Sequence, residues 1–210
     1  MPIYTIGMKN KASGIERFLK NNGGYAYLHE FIKNKIDPRD IKKLVESKRI
    51  EKIKKGLYRL SNIQYPEILN MSFVDITKAI NCSVVCLISA LEYHDLTTQN
   101  PGEIYIAVPH NKRIPKIIYP PVNFYYFRKN LYELGIIEIP TLYGNVKMYN
   151  QEKTICDMFR YRKKLGEDIA IEALKIYLNK KGADLLKLKE YSEICQVKTI
   201  IESYVKVLVG

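Results

Sequence analysis

The sequence predicts an α+β chain in two parts: a small N-terminal module of helices closed by a β-hairpin, and a larger mixed α/β C-terminal domain. Three observations predict it. Short helical periods followed by two alternating segments fill the first sixty residues. Beyond them, strand patterns lie between helical runs, an order unlike the regular alternation of a doubly wound sheet. The charge is also unevenly divided. Residues 1–60 hold fifteen Lys and Arg against six Asp and Glu, whereas residues 61–210 hold nineteen against sixteen.

The N-terminal elements follow from local chemistry. Ile15, Phe18 and Leu19 fall at helical spacing, and Asn21-Asn22-Gly23-Gly24 ends that helix with residues that tolerate positive φ. A second helix puts Tyr27, Leu28, Phe31 and Ile32 on one face. Asp37 then caps a third helix, with Pro38 in its first turn and Asp40 near the positive end of its dipole. That helix runs to about Lys48 and turns Ile41, Leu44 and Val45 inward. Ile50 to Lys54 and Leu57 to Leu60 read as strands joined at Lys55-Gly56. Two short helices joined by a brief turn, followed by a basic hairpin, make a winged helix-turn-helix over residues 1–62.

The second part, residues 63–210, begins with a linker at 61–69 and a helix through Phe73, Ile76, Thr77 and Ile80. Val84 to Tyr93 is apolar nearly all round, as in a buried helix. Glu103–Val108 and Asn123–Phe127 alternate as strands, and Ile136–Pro140 and Val146–Tyr149 pair around Tyr143-Gly144-Asn145. Four helices finish the chain: Gln151–Lys163, Glu167–Asn179, Asp184–Ile194 and Lys198–Leu208.

The net charge of +12 is concentrated where the helix-turn-helix is expected, the electrostatic footprint of a nucleic-acid-binding module. The expected partner is double-stranded DNA. On the third helix Arg39, Lys42 and Lys43 fall off the apolar face, with Lys48 and Arg49 at its end. Arg39 is the candidate for base readout, because a guanidinium can bond bidentately to guanine in the major groove. The lysines are candidates for phosphate contacts, and Lys52, Lys54 and Lys55 would set the wing on the backbone or in the minor groove.

Other classes of function find little support. No stretch reaches the roughly 18 apolar residues of a membrane span, and Met1–Lys20 lacks a signal-peptide pattern. The expected location is the cytoplasm, with Cys82, Cys86, Cys156 and Cys195 as reduced thiols in apolar helical patterns. Those cysteines and His94 lack the spacing of a zinc site, and no cofactor is expected. His94-Asp95 at a helix end reads as a cap and dipole partner rather than an acid–base pair. No phosphate-binding loop or nucleophile elbow occurs. Asp37 and Glu46-Ser47-Lys48 imitate a nuclease's E-x-K, but on a helix residues two apart diverge by about 200°. The chain is expected not to be an enzyme.

The run from Ser83 to Thr98 resembles the helix-plus-turn of the AbiEi family, antitoxins of type IV toxin–antitoxin (abortive infection) systems. Glu103–Pro109 resembles that family's first strand, and Tyr149–Arg162 its "SPAKTVADCFKYR"-type helix start, with Asn150-Gln151-Glu152 where Ser-Pro-Ala is frequent. Gly56-Leu57-Tyr58-Arg59 is similar to its wing. The resemblance implies a winged-helix domain and a C-terminal antitoxin domain. It implies repression of the protein's own operon through inverted repeats in the promoter, with two or more copies on the operator. It further implies action against a nucleotidyltransferase-like toxin without a stable complex. The alternative is a winged-helix transcription regulator whose second domain binds a small ligand or a protein. Two further basic clusters, Lys112, Arg113 and Lys116 in a loop and Arg160, Arg162, Lys163 and Lys164 at a helix end, lie outside the N-terminal module.

Overall fold

The computed structural model describes residues 3–62, 71–141 and 143–209, with side chains from residue 12 through 208. The chain is α+β, with ten helices and two sheets among the described residues. It forms two compact units. One comprises residues 1–79 with the short pieces Ile114–Pro120 and Thr141–Gly144, and the other comprises the remainder. The boundary expected after residue 62 meets residues 63–70, outside the described part, as does most of the expected linker.

The first unit opens with helix α1 (Ile3–Asn21), strand β1 (Tyr25–Tyr27), and helices α2 (Leu28–Lys33) and α3 (Pro38–Glu46). The hairpin β2 (Ile50–Lys54) and β3 (Leu57–Leu60) follows, then helix α4 (Met71–Ala79). β3 is central in a three-stranded antiparallel sheet, with β1 on one side and β2 on the other. The β2–β3 turn is possible because Gly56 sits at φ 81°, which a Cβ would resist. Ile15, Leu19, Ala26, Phe31, Ile41, Leu44, Ile50 and Leu60 form the core between helices and sheet. The apolar period of α1 and α3 faces inward as the sequence implied, whereas on α2 Phe31 is buried and Ile32, expected on the same face, is 56% exposed. β1 was not anticipated, and α2 starts one residue later than its pattern suggested. Tyr25–Tyr27 is too short to show alternation, and its pairing partner β3 lies thirty residues away.

The second unit holds β4 (Val84–Val85), α5 (Leu87–Tyr93), β5 (Ile104–Pro109), β6 (Val122–Phe127), α6 (Lys129–Glu133), β7 (Ile136–Ile139) and β8 (Val146–Tyr149). Four helices end it: α7 (Gln151–Leu165), α8 (Glu167–Leu178), α9 (Leu185–Ile194) and α10 (Lys198–Val209). Its sheet is mixed, in the order β6-β5-β4-β8-β7. β5 runs parallel to β6 and β4 parallel to β8, while β7 and β8 pair as the expected antiparallel ribbon. The segment Val84–Tyr93 divides into a two-residue strand and a helix. Val84 and Val85 are β-branched and pair with Ala107 and Ile106, an interaction that helical periodicity does not reveal.

Helix α7 is the centre of this unit. Asn150 caps it by accepting from Lys153 N–H at 3.0 Å, so the departure from Ser-Pro-Ala still supplies an N-cap. Lys153 and Asp157, one turn apart, are both fully buried and joined at 2.6 and 2.5 Å. The ammonium also lies over the rings of Tyr149 and Phe127, at 4.3 and 4.8 Å from their centroids. Burial pushes the Asp157 carboxyl above the usual range, and Lys153 pulls it partly back. Gly135, at φ 71°, lets a loop approach this pair: a Cβ there would stand 2.7 Å from Lys153 Cβ.

Candidate nucleic-acid interface

The eight basic residues singled out from the sequence all fall on α3, the turn after it and the hairpin. Asp37 caps α3 through a bond from Arg39 N–H at 2.8 Å, with Pro38 at the first position. The helix buries Ile41 and Leu44, which leaves Arg39, Lys42, Lys43 and Glu46 in solvent. Arg39 approaches Asp37 only at 3.9 Å, Lys42 approaches Glu46 at 3.9 Å, and Lys43 approaches Asp40 at 3.7 Å. Such exposed pairs are each worth about 0–1 kcal/mol, so all three cations remain free to turn to an external anion.

Lys48 occupies the turn after α3 at φ 55°, exposed and in the left-handed region. Lys52 and Lys55 are exposed on the hairpin. The other two cations are engaged within the unit. Arg49 forks onto Glu16 of α1 at 2.7 and 2.8 Å. Lys54 donates to the Ala79 carbonyl at 2.6 Å and lies 5.7 Å from the Tyr27 ring, tying the hairpin to the end of α4. Six of the eight are therefore presented to solvent without a close internal bond.

A ninth cation of this hairpin behaves differently. Arg59 lies two residues from buried Leu57 on β3, so it shares that face and points inward. It is only 5% exposed and donates to Asp75 of α4 at 2.5 Å and to Glu51 of β2. Tyr25 O–H completes the network by donating to Asp75 at 2.7 Å. Burial disfavours the Arg59 charge, but Asp75 and Glu51 outweigh it and raise its pKa. Burial also raises the Asp75 carboxyl, more than Arg59 and Tyr25 lower it. This network joins β1, β2, β3 and α4 and makes the hairpin one piece with the helices. The two-residue spacing of Leu57 and Arg59 was a readable sign of an inward arginine, and an inward arginine needs a buried acid.

Three of the four cations at the end of α7 have partners within the second unit. Arg162 donates to the Phe159 carbonyl at 2.8 Å and pairs with Glu167 at 3.3 Å, Arg160 reaches the Cys195 carbonyl at 3.3 Å, and Lys164 lies over Tyr125. These residues serve the C-terminal end of α7. His94 caps α5, with Nε2 at 2.8 Å from the Tyr149 carbonyl. Burial lowers its pKa and favours the neutral ring, so it acts as a hydrogen-bonded core group rather than a cationic dipole partner. Among the described residues, no group of three or more His, Cys, Asp and Glu gathers as a metal site, and no helix is long and apolar enough to cross a membrane.

No protein-family model matches the chain, and no curated protein is recognisably similar to it.

Proposed function

We propose that this chain is a DNA-binding antitoxin of the AbiEi type, which represses its own operon and counteracts a nucleotidyltransferase-like toxin in the cytoplasm. In this reading α2, the turn and α3 are a helix-turn-helix with α3 in the major groove, and β2–β3 is the wing. The observation that carries the DNA contact is the set of six basic side chains free in solvent on α3, its turn and the hairpin: Arg39, Lys42, Lys43, Lys48, Lys52 and Lys55. The cap at Asp37 puts Arg39 in the first turn of α3, where a recognition helix meets base edges. The antitoxin role is supported by the resemblance of Ser83–Thr98, Glu103–Pro109 and Tyr149–Arg162, and by the placement of the last of these on a capped central helix.

Two experiments test the two halves of the proposal. The first is binding to duplex DNA from the protein's own upstream region and to scrambled DNA. Arg39→Ala is expected to bring the two affinities closer by about 1–3 kcal/mol. Equal discrimination by wild type and variant would remove Arg39 from base readout. The second is co-expression with a neighbouring nucleotidyltransferase-like protein, where the antitoxin is expected to restore growth. Growth arrest relieved by no form of this chain would refute the antitoxin role, and a regulator that binds a ligand would take its place.

A further inference from the structure

The loop cluster Lys112, Arg113 and Lys116 lies in the connection between β5 and β6. The parallel pairing of β5 and β6 requires a long crossover between them. Instead of forming a helix, the middle of this crossover, Ile114–Pro120, belongs to the first unit. Ile117 forms an antiparallel bridge with Lys54, and Ile118 N–H donates to the Ile53 carbonyl at 3.1 Å. A segment from the second half of the sequence thus covers the free edge of β2. Lys116 immediately precedes the Ile117–Lys54 bridge on one strand and Lys55 immediately follows it on the other, at the end of the hairpin.

Edge protection needs only backbone pairing. This segment does more, because it leaves its large side chains in solvent. Lys116 is exposed, Ile118 is 57% exposed and Tyr119 is 52% exposed. Ile118 and Tyr119 form one wall of a groove of about 810 Å³, whose other lining includes Val45, Lys48, Ile50 and Lys52. Glu51 and Arg59 also line it, but they answer each other's charge. Arg59 Nε is buried and finds no hydrogen-bond partner among the described residues. The uncompensated charge of the groove's lining is therefore that of Lys48 and Lys52, with Lys55 exposed in the hairpin turn and Lys116 exposed on the segment that covers β2. That charge is complementary to a polyanion, and Tyr119 adds a hydroxyl donor of the kind that contacts backbone phosphates.

We propose that Ile114–Pro120 is part of the DNA-contacting surface, with Lys116 holding a backbone phosphate beside the wing tip and the Tyr119 hydroxyl donating to the same strand at the groove. This inference rests on the DNA-binding reading above. It assigns to the second half of the chain a direct share in operator binding.

The test is fluorescence anisotropy of the full chain on duplex DNA from its upstream region, between 50 and 200 mM salt. Lys116→Ala is expected to weaken binding severalfold at low salt and to make the log–log salt slope about 0.9 shallower. The gap to wild type then narrows about 3.5-fold across the series. Tyr119→Phe is expected to weaken binding severalfold with the slope unchanged, because no charge is removed. Lys116 acetylation, read by mass spectrometry, is expected to be suppressed by bound DNA. Thermal melts of both variants should match wild type. Wild-type affinity and slope for Lys116→Ala, with Lys55→Ala still making the slope shallower, would overturn the inference and leave the DNA reading standing. If Lys55→Ala and Arg39→Ala also bind as wild type does, the DNA reading itself fails.

Discussion

Salt is the perturbation that reads the proposed interface most directly. Each lysine or arginine that neutralises a phosphate releases counterion and contributes about 0.9 to the slope of log affinity against log salt. Six cations are assigned to phosphates, namely Lys42, Lys43, Lys48, Lys52, Lys55 and Lys116, so the slope is expected near −5 by that rule. Raising salt from about 50 to about 200 mM should then weaken binding by about 10³. The neighbouring pair Lys54 and Lys55 sharpens the test, because composition treats them alike and the structure does not. Lys55→Ala removes an exposed cation and should make the slope shallower by about one. Lys54→Ala instead removes the donor to the Ala79 carbonyl. It should leave the slope in place and destabilise the first unit by about 1–2 kcal/mol. Anisotropy over a salt series gives the slopes, and urea denaturation gives the stabilities. A wild-type slope shallower than about −2, or equal slope changes for the two variants, would refute the assignment of free and engaged cations.

Three further outcomes follow from individual sites. Lys153→Met strands the buried Asp157 carboxylate and should cost the second unit about 3–5 kcal/mol in urea denaturation, whereas Lys153→Met with Asp157→Leu should recover most of that loss; a single-variant cost under about 1 kcal/mol would contradict the buried pair. Lys48→Asn relieves a left-handed lysine with a residue that tolerates that conformation, so the melting temperature should hold or rise while DNA affinity falls; a fall in both would argue that Lys48 is structural. His94 titrates below its ordinary value because burial disfavours the cation, with Lys180 adding to the effect and Glu152, Asp95 and the Tyr149 carbonyl opposing it. Its stabilising contribution is therefore complete above about pH 6.5 and is lost as pH falls through the folded value. Asp157, whose carboxyl is raised, contributes in the opposite sense at lower pH. His94→Asn should accordingly flatten the loss of stability between pH 7 and pH 5, and an unchanged slope would count against a buried neutral imidazole.

What could be read in the sequence depended on how far along the chain each cause lay. Helix α3 was legible because its cap, its first proline and its apolar stripe all lie within nine residues of one another. The hairpin was legible because one glycine fixes its turn. Strand β1, the division of Val84–Tyr93 and the edge pairing of Ile117 were not, since each is stabilised by a partner more than twenty residues distant. The run Ile114–Pro120, with prolines at 115 and 120, carries the marks of a loop and no alternation.

Charge shows the same division. A count over residues 1–60 treats Arg49, Lys54 and Arg59 as equal to Lys42, yet the fold sets the three apart, because Glu16, the Ala79 carbonyl and Asp75 lie within reach of them. The basic excess of the first sixty residues thus has two physical uses. Part of it is consumed in joining the hairpin to α1 and α4, which gives the hairpin the rigidity a reading element requires. The rest is left in solvent, on one helix, one turn and one hairpin. Lys48 is held left-handed by the end of α3 itself, where its N–H donates to the Val45 carbonyl and Arg49 N–H to the Leu44 carbonyl, so that conformation closes the helix whether or not a ligand is bound. What the closure leaves for a ligand is the exposed Lys48 ammonium and, beside Lys52 on the same groove, the exposed Tyr119 ring, and both lie on the surface proposed for DNA.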